Sequence, residues 1–128
     1  MTPILRILPI LLLLGCAPLQ PGADPIVVRA EQTTAIALDT FDLFLRVERQ
    51  NEAALYKLNP RIHDYANLIR REAPQWLATA RHLTKAYKSS RTEASKANLG
   101  TIVSLLLTSI SEAQRYVALA APAPATDH

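Results

Sequence analysis

Residues 60–88 read PRIHDYANLIRREAPQWLATARHLTKAYK, and this stretch decides the fold class. Its apolar side chains recur every three or four positions, which is the period of one face of an α-helix and not of a strand. The apolar stripe comprises Ile62, Tyr65, Ala66, Ile69, Ala73, Trp76, Leu77, Ala80, Leu83 and Tyr87. The pattern therefore predicts one long amphipathic helix that buries this stripe.

Pro74 lies inside this stripe, yet the spacing keeps its phase on both sides of it. An interior proline removes a backbone hydrogen bond and costs about 3 kcal/mol. The retained phase favours one continuous helix with a kink near residues 70–73 over the alternative, a break into two helices.

The preceding segment, residues 24–58, has helical spacing as well. Asp24 and Pro25 are typical of a helix start, and Asn59-Pro60 is typical of a helix end. Its stripe comprises Thr34, Leu38, Phe41, Leu45, Glu48, Glu52 and Leu55, widened by Ala37, Phe44 and Val47.

The following segment, residues 92–120, has its own stripe after the polar turn 89–92. The stripe comprises Leu99, Ile102, Val103, Leu106, Ile110, Ala113, Val117 and Ala120. Residues 102–110 are the most apolar part of this segment and are predicted to form the deepest core. Gly100 is a candidate for close approach of another helix.

Three segments of about 30 residues joined by short turns predict an all-α fold, an up-down-up antiparallel three-helix bundle of long helices. The scarcity of glycine, with three in the chain, agrees with a helical domain over residues 24–120. The alternative is an open helical hairpin whose third helix completes the core only with a second copy or a partner.

The first 15 residues have a different character. Arg6 precedes a nearly unbroken apolar run over residues 7–14, which is the order of an export signal and is too short to span a bilayer. Leu13-Leu14-Gly15-Cys16 resembles the lipobox of bacterial lipoproteins, although Leu14 replaces the usual small residue. The resemblance implies cleavage between Gly15 and Cys16 and acylation of Cys16, which would attach the protein to the membrane.

The only cysteine in the chain is Cys16, so no internal disulfide is expected. Residues 16–23 are rich in proline and glycine and predict a flexible tether, and residues 121–128 predict a disordered Ala/Pro tail. Ala17 follows the cysteine where lipoproteins of enterobacterial type carry an inner-membrane retention aspartate. The resemblance thus implies the periplasmic face of the outer membrane.

Charge is distributed unevenly between the first two helical segments. Residues 24–56 contain six acidic and three basic side chains, whereas residues 60–88 contain two acidic and six basic ones. The charges can simply set helix pairing. Alternatively, a turn bearing Lys85, Lys88 and Arg91 faces the membrane and contacts anionic headgroups.

No motif in the chain names a reaction. His63 and His82 are too far apart in sequence to ligate one metal from neighbouring helical turns, and Asp39 and Asp42 are expected on a solvated face. We therefore predict no enzyme, no metal and no cofactor. Without residues 1–15 the chain has 13 basic and 11 acidic side chains, a balance that does not suggest nucleic-acid binding.

Two functions remain open from the sequence. The first is a noncatalytic periplasmic adaptor or envelope-structural or assembly subunit that acts through protein contacts or self-association. The second is a binding module that holds a small amphiphile or glycan fragment in a groove near Trp76 and Pro74. Arg70 and Arg71 are the polar side chains expected to contact a partner or ligand there.

Overall fold

The computed structural model describes residues 23–121, and all regular structure within that range is α-helical. Helix α1 spans Pro25–Gln50, α2 spans Glu52–Leu58, α3 spans Pro60–Ser90 and α4 spans Glu93–Ala120. The predicted all-α class is confirmed. Within the described part of the chain, no helix has both the length and the apolar character that crossing a membrane requires.

Several sequence predictions fall on the chain ends. The signal segment 1–15, the anchor Cys16, the tether up to residue 22 and the tail from residue 122 onward lie outside the described residues. They remain predictions.

Side-chain caps explain where the long helices begin. Asp24 accepts a hydrogen bond from the backbone N–H of Ile26 at 2.9 Å, and Pro25 takes the first helical position, where its missing N–H costs nothing. Asn59 accepts in the same way at the start of α3. Thr92 caps α4 through a 3.1 Å bond from the N–H of Ser95.

The first predicted helix is divided at Asn51, so that the described chain has four helices instead of three. Asn51 adopts φ −124° and ψ 22°, and its side-chain amide donates to the carbonyl of Val47 at 2.8 Å. Asparagine is prone to such local bonds, which compete with the helical ladder. The result is a one-residue interruption before the short helix α2.

Helix α3 continues through Pro74 without a break, as the phase of its stripe predicted. Helix α3 is capped by Arg91, the residue after its last turn, whose φ of 53° is left-handed and stops the helical ladder. This turn leads directly into the cap of α4.

The three long helices α1, α3 and α4 each pack against the other two. Their contact is centred on three rings, one from each helix. The ring centroids of Phe44 and Tyr65 are 5.5 Å apart, those of Tyr65 and Tyr116 are 5.4 Å apart, and the Tyr65 hydroxyl donates to the carbonyl of Ser109 at 2.9 Å. This cluster ties the described helices into one core.

The predicted stripes of α3 and α4 are buried or half-buried, but the stripe of α1 differs from its prediction. Thr34, Ala37, Phe41, Phe44 and Glu48 are buried as predicted, but Leu38 is 47% exposed and Glu52, which belongs to α2, is exposed as well. The face of α1 that meets α3 and α4 is centred on Ala30, Ala37 and Phe41, because these small and flat side chains permit close packing.

Two predictions for α4 need correction. Leu106 is fully buried, but Leu105 and Leu107 point outward, because three consecutive residues cannot share one helical face. The prediction that Gly100 marks a close helix contact is wrong, since a Cβ built there meets nothing within 4 Å.

Candidate functional site

Near the end of α1, the carboxylate of Glu48 is almost completely buried, with 2% of the residue's surface exposed. A buried charge is costly unless it is paired and hydrogen-bonded. Two side chains of α3 provide this pairing. His63 Nδ1 lies 2.9 Å from Oε1 of Glu48, and Arg70 Nη2 donates to Oε2.

Asn67 closes these contacts into a ring. Its Nδ2 lies 3.2 Å from His63 Nε2, and its Oδ1 accepts from Arg70 Nη1 at 3.0 Å. The four side chains Glu48, His63, Asn67 and Arg70 therefore form a closed cycle of hydrogen bonds between α1 and α3. We name this cycle the Glu48 ring.

The direction of the hydrogen bonds in the Glu48 ring follows from Arg70, which can only donate. Asn67 must present its oxygen to Arg70 and hence its amide nitrogen to His63. Nε2 of His63 then accepts, and the proton of the neutral imidazole is on Nδ1, from which it is donated to Glu48. The arrangement assigns one tautomer to His63.

The electrostatics of Glu48 reflect two opposed effects. Burial raises the pKa of the carboxyl, while the hydrogen bonds and charges of His63 and Arg70 lower it more, so that the pKa lies below its ordinary value. Glu48 is therefore held as a carboxylate in the folded protein.

Glu52 extends the site from α2. One of its carboxylate oxygens is 3.7 Å from His63 Nδ1, and the three groups Glu48, Glu52 and His63 bring ligand atoms within 4.8 Å of one another. An open cleft beside them is lined by Glu52, Tyr56, His63 and basic side chains of α1 and α2. The cluster is thus reachable from solvent.

A second feature is the basic turn between α3 and α4. Arg91 pairs with Asp24, and Lys88 pairs with Glu31, so this turn lies beside the start of α1. The three cations predicted to face the membrane therefore differ in their pairing. Among the described residues, Lys85 alone of the three has no acidic group within 4.0 Å.

Other cations surround the same end of the domain. Arg81 and Lys85 line a groove with Glu31 and Lys88 between α1 and α3. Arg29 and Lys96 line another between α1 and α4. Like Lys85, the side chains of Arg29, Arg81 and Lys96 have no ion pair within residues 23–121. This set of four, Arg29, Arg81, Lys85 and Lys96, is called the basic end below.

The predicted pair Arg70 and Arg71 does not act together. Arg70 belongs to the Glu48 ring and 31% of its side chain is exposed, whereas the Arg71 side chain is 68% exposed and pairs with Glu72. Successive residues point about 100° apart on a helix, which separates their roles.

A groove of about 200 Å³ does lie at Pro74, lined by Leu38, Phe41 and Arg70 among others. Trp76 does not line this groove but packs edge-on against Phe41, with 6.5 Å between ring centroids. Small-molecule pockets usually measure roughly 300–1,000 Å³, so this groove is small.

The remaining titratable candidates are dispersed. Asp39 is exposed, and Asp42 is exposed and pairs with Arg46. His63 and His82 are separated by about 28 Å along α3, at 1.5 Å per residue. Neither histidine is joined to the two aspartates by a hydrogen bond or ion pair in the described chain.

Glu48 is the functional candidate that sequence reasoning missed. It lies in the predicted apolar stripe of α1, and a charged residue in phase with a buried face is itself a signal of a buried partner. The partners, 15 and 22 residues away, had no signal in the sequence. Comparison with protein-family models, with curated proteins and with solved structures yields no match for this chain.

Proposed function

We propose that this protein is a noncatalytic lipoprotein of the cell envelope that acts through protein contacts, anchored by acylated Cys16 at the periplasmic face of the outer membrane. The lipobox-like sequence ending at Cys16 supports the anchor. Two or three acyl chains are enough to hold a protein stably on a bilayer.

The proposal includes an up-down-up course of the long helices. Pairing of Arg91 with Asp24 supports opposite directions for α1 and α3, because it joins the end of one to the start of the other. The groove lined by Ile26 and Lys96 supports a common direction for α1 and α4. The short helix α2 extends the far end.

The single observation that supports the orientation is that the basic end lies beside Asp24, where the proposed tether would join the domain. Asp24, the first cap, lies against Arg91 of the α3–α4 turn. Residues 17–25 can extend over at most about 30 Å. We propose that this short tether holds the basic end against anionic headgroups, while α2 and the Glu48 ring point away from the membrane.

A protein partner is favoured by apolar side chains left on the flank of the domain. Ile36 and Leu43 are exposed and seven residues apart, which places them on one side of α1 two turns apart. Burying these two side chains against a partner would remove apolar surface from water, which favours association. We propose this flank for the adaptor contact.

The anchor is tested with Cys16→Ala. We expect wild type in the membrane fraction with incorporated fatty acid, and the variant free of lipid and released from the membrane. Proteins that copurify with wild type from detergent-solubilised membranes, but not with the variant, are candidate partners. Retention of the variant in the membrane would contradict the anchor.

The orientation is tested with a nonacylated form that begins at Ala17. Arg81, Lys85 and Lys96 are changed together to glutamine, because Lys88 and Arg91 already stabilise the fold through their acidic partners. Each cation near an anionic surface contributes about 1 kcal/mol, so binding to phosphatidylglycerol vesicles at low salt should weaken about 100-fold.

The matched control changes Arg49, Lys57 and Arg61 to glutamine. These three exposed cations are at the α2 end and have no ion pair among the described residues. The control loses the same net charge, so equal weakening in both triple variants would contradict the orientation and indicate a general charge effect.

The second candidate is a module that binds a small amphiphile. The one observation that favours it is the groove at Pro74. Trp76 is the only tryptophan and contacts Phe41, which lines that groove. A blue shift of tryptophan fluorescence on titration with a single-chain amphiphile below its micelle concentration, lost in Leu38→Asp, would support it. Absence of a shift would contradict the binding module and leave the adaptor as the remaining proposal.

A further inference from the structure

The cluster of Glu48, Glu52 and His63 is not required by the anchoring proposal. Glu48 is already satisfied by Arg70 on one oxygen, while its other oxygen, Oε1, faces His63 Nδ1 at 2.9 Å. Glu52 Oε1 approaches the same nitrogen from the solvent side at 3.7 Å. Three ligand atoms of the kinds that bind zinc thus lie within 4.8 Å of one another.

The spacing of these atoms fits a tetrahedral ion. Zinc bonds of 2.0–2.2 Å to nitrogen and oxygen imply separations of roughly 3.3–3.5 Å between ligand atoms. The separations of 2.9 and 3.7 Å from Nδ1 to the two carboxylates bracket this range. Each carboxylate oxygen would therefore need to move by at most about 0.5 Å relative to Nδ1 for both separations to match those around a zinc ion.

The third edge, between the two carboxylates, is at most 4.8 Å. Glu52 is exposed and can close this distance by changing its side-chain rotamer, while Glu48 is held in place by Arg70. A hydrogen bond to the second oxygen of a ligating carboxylate is the usual outer-shell arrangement in metal sites.

We propose that Glu48 Oε1, His63 Nδ1 and Glu52 Oε1 form a zinc site at the solvent-facing edge of the Glu48 ring, with water as the fourth ligand. The ion takes the place of the proton that His63 shares with Glu48. Imidazole and carboxylate ligands suit zinc, and the open cleft beside Glu52 and Tyr56 admits both ion and water.

Zinc binding carries a specific consequence for Asn67. When Nδ1 binds the ion, the proton of neutral His63 moves to Nε2 by exchange with solvent, so Nε2 becomes a donor. The amide nitrogen of Asn67 is also a donor and lies 3.2 Å away. Its side chain must turn to present Oδ1 to His63, and it then loses its bond to Arg70.

Asn67→Asp removes this conflict. An aspartate at position 67 can accept from Nε2–H of His63 with one oxygen and from Arg70 with the other, in the carboxylate–histidine–zinc arrangement. Asn67 is thus a positioning residue whose replacement should tighten zinc binding, which a purely structural role would not produce.

The test is isothermal titration of Zn²⁺ into the full chain, freed of metal by chelation and kept in detergent micelles at neutral pH. We expect one site in wild type, affinity at least 100-fold weaker in His63→Ala, about tenfold weaker in Glu52→Gln and about tenfold tighter in Asn67→Asp. His82→Ala is the control, since His82 is an exposed histidine of the same helix.

Glu52→Gln keeps the test valid if His63→Ala fails to fold. Glu52 is exposed, and its ion pair in the described chain is the 3.7 Å contact with His63, so its replacement should leave the fold intact. Nitrogen-15 NMR of the imidazole supplies a second measurement. The proton should be on Nδ1 without zinc and on Nε2 with it. Absence of binding, equal affinity in Glu52→Gln, or an unchanged tautomer would overturn the proposal.

Discussion

Removing the positive charge of Arg70 should destabilise the protein strongly, because it leaves the carboxylate of Glu48 buried with one donor fewer. Arg70→Met keeps the packing of the aliphatic stem while deleting the guanidinium group, its charge and both hydrogen bonds. The Arg71→Met variant removes the adjacent, exposed arginine and serves as the control.

The magnitude follows from burial. Breaking a fully buried ion pair by removing one partner costs about 3–5 kcal/mol. Because the Arg70 side chain is 31% exposed and His63 still donates to Glu48, we expect the lower limit, about 3 kcal/mol. This corresponds to a fall in Tm of roughly 12–24 °C for a domain of about 100 residues. Arg71→Met should cost less than about 0.5 kcal/mol.

The assay is urea unfolding followed by far-UV circular dichroism on wild type, Arg70→Met, Glu48→Leu and the double variant. Replacing both partners by apolar residues removes the buried charge, so the double variant should be within about 1 kcal/mol of wild type. A cost below about 1 kcal/mol for Arg70→Met, or a double variant as unstable as the sum of the two single changes, would refute the reasoning.

Three further outcomes concern the core and α4. Burial raises the pKa of Tyr65 from 10.0 to about 12, so the contribution of Tyr65 to the free energy of unfolding should be fully present below about pH 10 and be lost, by roughly 2–3 kcal/mol, as the pH rises through about 12; Tyr65→Phe, measured by urea unfolding across this range, should lack this loss. Gly100→Ala should raise Tm and increase the free energy of unfolding by up to about 1 kcal/mol, since a Cβ there meets no neighbour; a lower Tm would contradict the absence of a close neighbour at this position. Leu106→Ala should cost about 3 kcal/mol and Leu107→Ala less than about 1 kcal/mol in the same assay, because only Leu106 is fully buried; equal costs would show that the face of α4 is misassigned.

The helical class and the buried faces of α3 and α4 could be predicted because the apolar spacing in these segments is uninterrupted. In α1 the pattern was ambiguous, since apolar residues such as Ile36, Leu38 and Leu43 occur on several faces. Which face is buried there depends on the fit against two other helices, and Ala30 and Ala37 allow the closer approach.

The candidate site could be predicted only in fragments. The sequence offers His63 as a titratable candidate, but its neighbours in sequence point elsewhere on α3, and its partners Glu48 and Glu52 come from α1 and α2. Arg70 was expected at a partner or ligand and instead neutralises a buried carboxylate of the same chain. The surroundings of Arg70, not its residue type, decide whether it contacts a partner or neutralises a buried carboxylate.

By itself the sequence determined the local features: helical periodicity, the helix start at Asp24-Pro25, the helix end at Asn59-Pro60, and the lipobox-like segment that predicts an anchor at Cys16. These depend on residues within one or two turns of each other, so the spacing along the chain is sufficient to infer them. Tertiary structure alone decided that His63 and Arg70 pair with the carboxylate of Glu48. Contacts between helices depend on their packing angle and rotation, which a residue pattern does not specify.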